Sequence, residues 1–190
     1  PDEIDDELIE VLATEPKIVK YLDIPIQHCN DKILSTMHRR GDKKLIVDLF
    51  AKLRQRIPGL VIRTSLITGL PGEGEAEFQE LCDFLRETKM ERVGAFAFSP
   101  EEGTPAAKME FVDTEIARQR AETIEMIQSE IMDEWNASMV GKTLEVLVDG
   151  YDEEQEQFYG RTYADSPDID GRVIGTGSLR SYKGSTSSRG

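Results

Sequence analysis

Cysteine is scarce in this sequence of 190 residues, in which only Cys29 and Cys82 occur. Two thiols form at most one disulfide, which excludes a domain stapled by several disulfides. They are also too few for a metal site with four thiolate ligands. Cys82 shares a helical face with Phe78 and Leu85, so we predict that it is a buried apolar residue. Cys29 follows a predicted strand, where more exposure is expected. No neighbouring residue marks either thiol as a nucleophile, and we predict that neither is catalytic.

The sequence also lacks a run of about 18 apolar residues and therefore contains no candidate transmembrane span. Its N-terminus is acidic and has no Met, unlike a signal peptide, so the cytoplasm is the expected location. Positive charge is scarce, because 23 Lys and Arg residues oppose 37 Asp and Glu residues, giving a net charge of −14. This balance argues against a surface that binds phosphate backbones throughout and favours a basic protein partner.

Strand and helix patterns alternate in the first 110 residues. Apolar runs predict strands at 21–26, 60–67 and 92–98, the last of them buried on both faces. Helical spacing predicts helices between them, including one capped by Asp31 and one at 75–88. Such alternation indicates a parallel sheet of βα units. Three strands cannot close a barrel, so the segment is either a small doubly wound domain or part of a larger one, and the missing Met favours the second.

A different pattern follows this segment. Thr114 to Met139 reads as one long helix that ends at Gly141, with Ile116, Ile124, Ile127, Ile131 and Trp135 on one stripe. Three short strands then predict a small antiparallel β module, and a Gly/Ser-rich stretch predicts a flexible tail. The expected fold is α/β in its first part and antiparallel β in its second. The expected divisions are 1–112, a connector helix at 113–140, the β module at 141–175 and the tail at 176–190.

Polar residues cluster after the predicted strands, where ligands of α/β folds bind. Gln27 and His28 follow the first strand. Gly69 and Gly72 bracket the turn after the second, where backbone amides can face a ligand. This turn lacks the Lys-Ser/Thr of a nucleotide triphosphatase loop. Each segment taken alone fits an ordinary polar loop equally well.

Two further segments have the same ambiguity. FSPEEGTPAA follows the third strand and adds Ser99, Glu101 and Glu102 to the same rim. MHRRG contains Arg39 and Arg40, which can hold a carboxylate in a bidentate fork, although exposed arginines at helix ends are commoner.

Taken in order, YLDIPIQH, MHRRG, RTSLITGLPGE and FSPEEGTPAA resemble the second half of the radical SAM domain of methylthiotransferases. The long helix and the β module resemble the connector and the beginning of the TRAM domain of that family, so the resemblance covers residues 1 to about 175. Members that modify tRNA generally carry His-x-Pro-x-Gln-Ser-Gly in the first motif and Ser-Pro-Arg in the last. Asp23, His28 and Glu101 stand at those places here, and Arg63 opens the second strand. This version is similar to members that modify an aspartate of a small-subunit ribosomal protein.

The resemblance implies a partial radical SAM (βα) barrel that uses S-adenosylmethionine, with [4Fe-4S] clusters in the complete enzyme. The cluster cysteines of the family, including its CxxxCxxC motif, are absent from this chain. We therefore expect a fragment that is inactive alone, with a TRAM domain truncated after about residue 175 and a basic ribosomal protein as the substrate of the whole enzyme. Ile67 and Gly69 match part of the GxIxGxxE element that lines the adenosine pocket. The resemblance places cofactor contacts at Gln27, His28, Arg39, Arg63, Ile67, Gly69, Phe98 and Ser99.

Three alternatives remain open. The chain can belong to a tRNA-modifying methylthiotransferase. It can be a TRAM-type RNA-binding module in which Arg172, Arg180, Lys183 and Arg189 contact RNA, although the net charge of −14 opposes this. It can also be a non-catalytic α/β scaffold.

Overall fold

The structure is a computed structural model that describes residues 4–100, 103, 109–167 and 169–176. It divides into two units, Pro1–Lys142 and Thr143–Gly190. The helices are α1 (Asp6–Thr14), α2 (Asp31–Thr36), α3 (Lys43–Arg56), α4 (Glu75–Thr88) and α5 (Thr114–Met139). The strands are β1 (Tyr21–Asp23), β2 (Val61–Thr68), β3 (Arg92–Ala97), β4 (Leu147–Asp152), β5 (Gln157–Arg161) and β6 (Val173–Gly175).

The first unit is built on a parallel sheet of three strands in the order β1-β2-β3. The side chains of β2 alternate between two environments, because successive residues of a strand point to opposite faces. Thr64, Leu66 and Thr68 are fully buried, whereas Ser65 and Ile67 between them are half-buried. The sheet thus has one face covered by helices and one open face, as in a strand set that forms part of a larger barrel. The predicted parallel βα arrangement is confirmed.

The prediction that the third strand is buried on both faces is wrong. Phe96 pairs in register with Ile67 on the open face, and 55% of its surface is exposed. A continuous apolar run shows that both sides of a strand can be buried, but it does not show whether a second layer is present.

The core of the first unit lies between the covered face of the sheet and the helices. It is formed mainly by leucine, isoleucine and phenylalanine side chains of α3, α4 and α5, including the fully buried Phe50, Phe84 and Ile124. Cys82 is buried, as predicted, but the expectation that Cys29 is more exposed is wrong, since its exposure is 0%. Ile24 and Ile26, which precede Cys29 in the segment after β1, are also buried in this core.

Two local expectations also need correction. β1 ends at Asp23 rather than at residue 26, because Pro25 has no N–H for the ladder, and only an isolated bridge joins Gln27 to Leu66. The cap of α2 is Asn30, whose side chain accepts from the Ile33 amide, and Asp31 is the first helical residue.

The long helix α5 occupies the predicted residues, Thr114–Met139, but its buried stripe is displaced from the expected one. Ile124, Ile127 and Ile131 are buried, whereas 45% of Ile116 is exposed and Ala117 takes the buried position. The small side chain of Ala117 allows the helix to approach the sheet closely.

The second unit contains an antiparallel sheet in the order β4-β5-β6, which confirms the predicted small β module. Tyr151 and Phe158 pack across β4 and β5 with ring centroids 4.7 Å apart. The guanidinium of Arg172 lies 5.0 Å from the centre of the Tyr159 ring. The predicted tail lies almost wholly outside the described residues, and no described helix is long and apolar enough to cross a membrane.

Candidate functional site

The carboxyl ends of the three parallel strands meet at one edge of the first unit, defined by Gln27, Ile67, Gly69, Phe96 and Phe98. We call it the cofactor edge, because four of these five residues are among the cofactor contacts expected from the sequence. The chain after β1 stays attached to β2, because the Ile67 amide donates to the Gln27 carbonyl at 2.8 Å. The Phe98 amide likewise donates to the Thr68 carbonyl at 2.8 Å. Four of the eight predicted contact residues, Gln27, Ile67, Gly69 and Phe98, therefore come together.

Gln27 combines an unusual backbone conformation with a buried hydrogen-bond acceptor that has no donor among the described residues. Its backbone has φ 63°, in the left-handed region that a glutamine rarely adopts. Its side-chain Oε1 is buried and has no hydrogen-bond partner among the described residues. A buried acceptor without a donor costs free energy, and such positions are often satisfied by a bound ligand or water.

The open face beside Gln27 carries the apolar side chains of Ile67 and Phe96, and the half-buried Arg63 and Ser65 lie farther back along the same face of β2. Ile67 and Phe96 are register partners on this face, and Gly94 lies two residues before Phe96. A Cβ atom at Gly94 would contact the Phe96 ring at 3.4 Å, so the glycine keeps the space beside the ring open. An aromatic ring, an aliphatic side chain and an unpaired acceptor together suit a purine nucleoside, with stacking surface for the base and an acceptor for an amino or hydroxyl group.

Gly69 has a role different from the one expected of it. Its amide does not face a ligand, because it donates to Glu73 Oε1 at 2.9 Å within the same loop. Its backbone has φ 78°, and a Cβ at this position would lie 2.3 Å from the Cβ of Ala117. Gly69 is therefore required for the turn and for the close approach of α5.

His28 is 1% exposed and lies beneath the cofactor edge. Its Nδ1 accepts a hydrogen bond from the Asn30 amide at 3.0 Å, so the neutral ring carries its proton on Nε2. The Nε2 atom lies 3.4 Å from Glu73 Oε2, and neither atom has a hydrogen-bond partner among the described residues. This geometry places His28 between the chain that follows β1 and the loop that follows β2.

The other predicted contact residues are not members of the cofactor edge as defined, although Ser99 directly follows Phe98, and Arg63 Nη2 would lie 3.9 Å from a Cβ at Gly94. Arg39 is exposed just after α2, and Ser99 is exposed after β3. Arg63 lies near the start of β2, where it forms an ion pair with Asp23 at 2.5 Å. Glu101 and Glu102 lie outside the described residues.

Sequence reasoning missed two buried charges, Glu73 and Arg120. Their side chains are 0% and 10% exposed, and Arg120 donates to Glu73 Oε1 at 2.8 Å. A signal for Arg120 was present in the sequence, because it falls on the same helical stripe as Ala117, Ile124 and Ile127. A cation within an apolar stripe predicts a buried partner.

The described residues do not fit an iron–sulfur cluster. They contain no group of three or more His, Cys, Asp or Glu side chains placed to hold a metal ion. Burial raises the pKa of the Cys29 thiol to about 12, and the nearby Glu80 carboxylate adds to this effect. The thiol therefore stays protonated, whereas a cluster ligand is a thiolate.

Two family models match the chain. The model of the radical SAM superfamily matches residues 1–85, and the model of the TRAM domain matches residues 140–186.

Curated relatives that are named ribosomal protein uS12 methylthiotransferase RimO match most of the chain. The relative from Anaeromyxobacter sp. (strain Fw109-5) is 50% identical, over 90% of this chain and 37% of its own length. Those from Acetivibrio thermocellus and Lachnoclostridium phytofermentans are 46% and 50% identical, over 93% and 92% of this chain and 39% and 40% of their own lengths. The chain thus spans about two fifths of the length of these relatives.

Among solved structures, the chain is similar to coproporphyrinogen III oxidase (HemN) from Escherichia coli, described as a radical SAM enzyme. The TM-score is 0.45 and the sequence identity 17%, over 75% of this chain and 31% of that chain.

Proposed function

Because the chain belongs to the radical SAM methylthiotransferase family and is of the RimO type, we propose that it forms part of an enzyme that adds a methylthio group to an aspartate of a small-subunit ribosomal protein. The observation that carries this proposal is the identity of 45–50% to relatives with that name over at least 90% of the chain. The positions of Asp23 and His28 in the first motif agree with it. Such an enzyme acts in the cytoplasm, where its substrate is found.

The cofactor edge supplies the adenosine site in this proposal. S-adenosylmethionine, when bound and reductively cleaved, supplies a radical that abstracts hydrogen from a carbon of the substrate. Residues of this chain would bind and orient it: Ile67 and Phe96 would pack against the base, and the unpaired Oε1 of Gln27 would accept a hydrogen bond from the nucleoside. The Phe98 amide is already bonded to the Thr68 carbonyl. The Phe98 ring supports the cofactor edge by packing against Phe111, with the ring centroids 5.7 Å apart.

Charge supports a protein substrate over tRNA. The surplus of 14 negative charges attracts a basic ribosomal protein and repels a phosphate backbone, most strongly at low salt. RNA contact through the second unit is a weaker candidate, favoured by the match to the TRAM domain and by the exposed Arg172 beside Tyr159.

The substrate is tested by a chimaera in which this chain replaces the matching segment of the Anaeromyxobacter relative. The reconstituted chimaera is offered either a peptide that contains the target aspartate loop or isopentenyladenosine tRNA, with the intact relative as the positive control. We expect mass spectrometry to find the methylthio group on the aspartate and none on the tRNA. Modification of tRNA alone would contradict the proposed substrate.

A further inference from the structure

The side chain of Arg120 in α5 forms its hydrogen bonds, ion pairs and ring contact within the described residues with one short segment, residues 73–78. Its Nη1 donates both to Glu73 Oε1 at 2.8 Å and to the Glu73 carbonyl at 3.1 Å. Its Nη2 reaches Glu75 Oε2 at 3.3 Å, and its guanidinium lies 5.0 Å from the centre of the Phe78 ring. The fork of the guanidinium therefore fixes the end of the loop that follows β2 and the beginning of α4.

The same helix fixes the other end of this loop. Thr68, the last residue of β2, donates its hydroxyl to the Ala117 carbonyl at 2.7 Å. Ala117 also packs against Gly69, and it lies one helical turn before Arg120. Two adjacent turns of α5 thus hold residues 68 and 73 at once, so the conformation of the loop depends on the helix.

The Glu73 carboxylate connects Arg120 to the two branches of the cofactor edge. One oxygen accepts from the Gly69 amide and from Arg120, and the other faces His28 Nε2 at 3.4 Å. Gly69 follows Ile67 by two residues, and His28 directly follows Gln27. The two atoms that face each other, Glu73 Oε2 and His28 Nε2, are both buried and have no hydrogen-bond partner in the part of the chain that the structure describes, so the orientation of the carboxylate determines whether they bond.

We propose that Arg120 is a positioning residue for the cofactor edge. By orienting the Glu73 carboxylate between Gly69 and His28, it holds in place the residues that follow Ile67 and Gln27, whose backbones are already joined by a hydrogen bond and whose side chains would contact the nucleoside. This inference rests on the proposed function, in which the edge binds S-adenosylmethionine. It also makes α5, the helix that precedes the second unit in sequence, a part of the cofactor site.

The test uses the full chain labelled with ¹⁵N and titrated with S-adenosylmethionine. Arg120→Lys keeps the positive charge but loses the planar fork. Glu73→Gln keeps the size of the side chain but removes its charge, and it provides the test of the inference if Arg120→Lys does not fold. Arg118→Lys is the matched control, because Arg118 lies on the same helix, is exposed, and forms ion pairs only with Glu115 and Glu122 among its recorded contacts.

We expect Arg120→Lys and Glu73→Gln to move the Gly69 amide and His28 Nε2 resonances and to weaken the binding of S-adenosylmethionine by about tenfold or more, as for residues that orient ligands indirectly. Arg118→Lys should leave the resonances and the affinity unchanged. If the resonances move but the affinity stays at the wild-type value, Arg120 is structural only and the inference is overturned. If the wild-type chain itself does not bind S-adenosylmethionine, the assignment of the adenosine site to the cofactor edge fails, and the inference fails with it, whereas the proposed function is tested separately by the chimaera.

Discussion

Replacing Gly69 with alanine is expected to lower the free energy of unfolding of the chain by about 2–5 kcal/mol, the sum of a left-handed backbone penalty and an overpacking penalty. The positive φ of 78° is costly for any residue with a Cβ. The added Cβ would also lie 2.3 Å from the Ala117 Cβ, so α5 must move away from the sheet. Urea denaturation followed by circular dichroism measures the loss.

The matched control for this experiment is Gly141→Ala. Gly141 has a similar φ of 82°, but a Cβ there would meet no atom of the described residues within 4 Å. This variant bears only the backbone penalty, about 1–2 kcal/mol. If Gly69→Ala and Gly141→Ala lose the same free energy, the close approach of α5 to Gly69 contributes nothing, and the interpretation of this glycine is wrong.

Replacing Arg120 with methionine is expected to lower the free energy of unfolding by about 3–5 kcal/mol, because the Glu73 carboxylate is then buried without a compensating charge. The side chains of Glu73 and Arg120 are 0% and 10% exposed, so water cannot replace the lost partner. The same urea experiment measures this loss.

Arg118→Met is the control for this second prediction. It breaks two ion pairs on the exposed side of the same helix, and exposed pairs contribute about 0–1 kcal/mol. The double variant Glu73→Leu with Arg120→Met should lose much less than the sum of the two single losses, because neither charge of this buried pair is left without its partner. Additive losses would show that the two side chains act independently.

Much of the fold followed from periodicity. The parallel sheet, the helix at 75–88 and the helix Thr114–Met139 were all predicted, since each depends on a regular pattern of apolar residues along a continuous segment. The predictions that failed concern what lies opposite an element. Periodicity did not reveal the open face at Phe96, the burial of Cys29 or the packing of α5 on Gly69, because each depends on a neighbour that is distant in sequence.

The sequence predicted only part of the candidate site, because the rest depends on contacts between residues that are distant in sequence. The strand-end rule found Gln27 and Gly69, but it assigned the Gly69 amide to a ligand. The amide is taken by Glu73, whose orientation depends on Arg120, nearly fifty residues farther along the chain. Such a link was visible in the sequence only as an arginine within an apolar stripe of a helix.

The central claim, that the cofactor edge binds the adenosine part of S-adenosylmethionine, is tested most directly by titrating the ¹⁵N-labelled chain with this compound and following all assigned resonances. We predict saturable shifts of the Gln27 side-chain amide and of the Ile67, Phe96 and Phe98 backbone amides, with no change at Tyr159 or Arg172 in the second unit. An absence of shifts at the cofactor edge, or saturable shifts confined to the second unit, would contradict the claim.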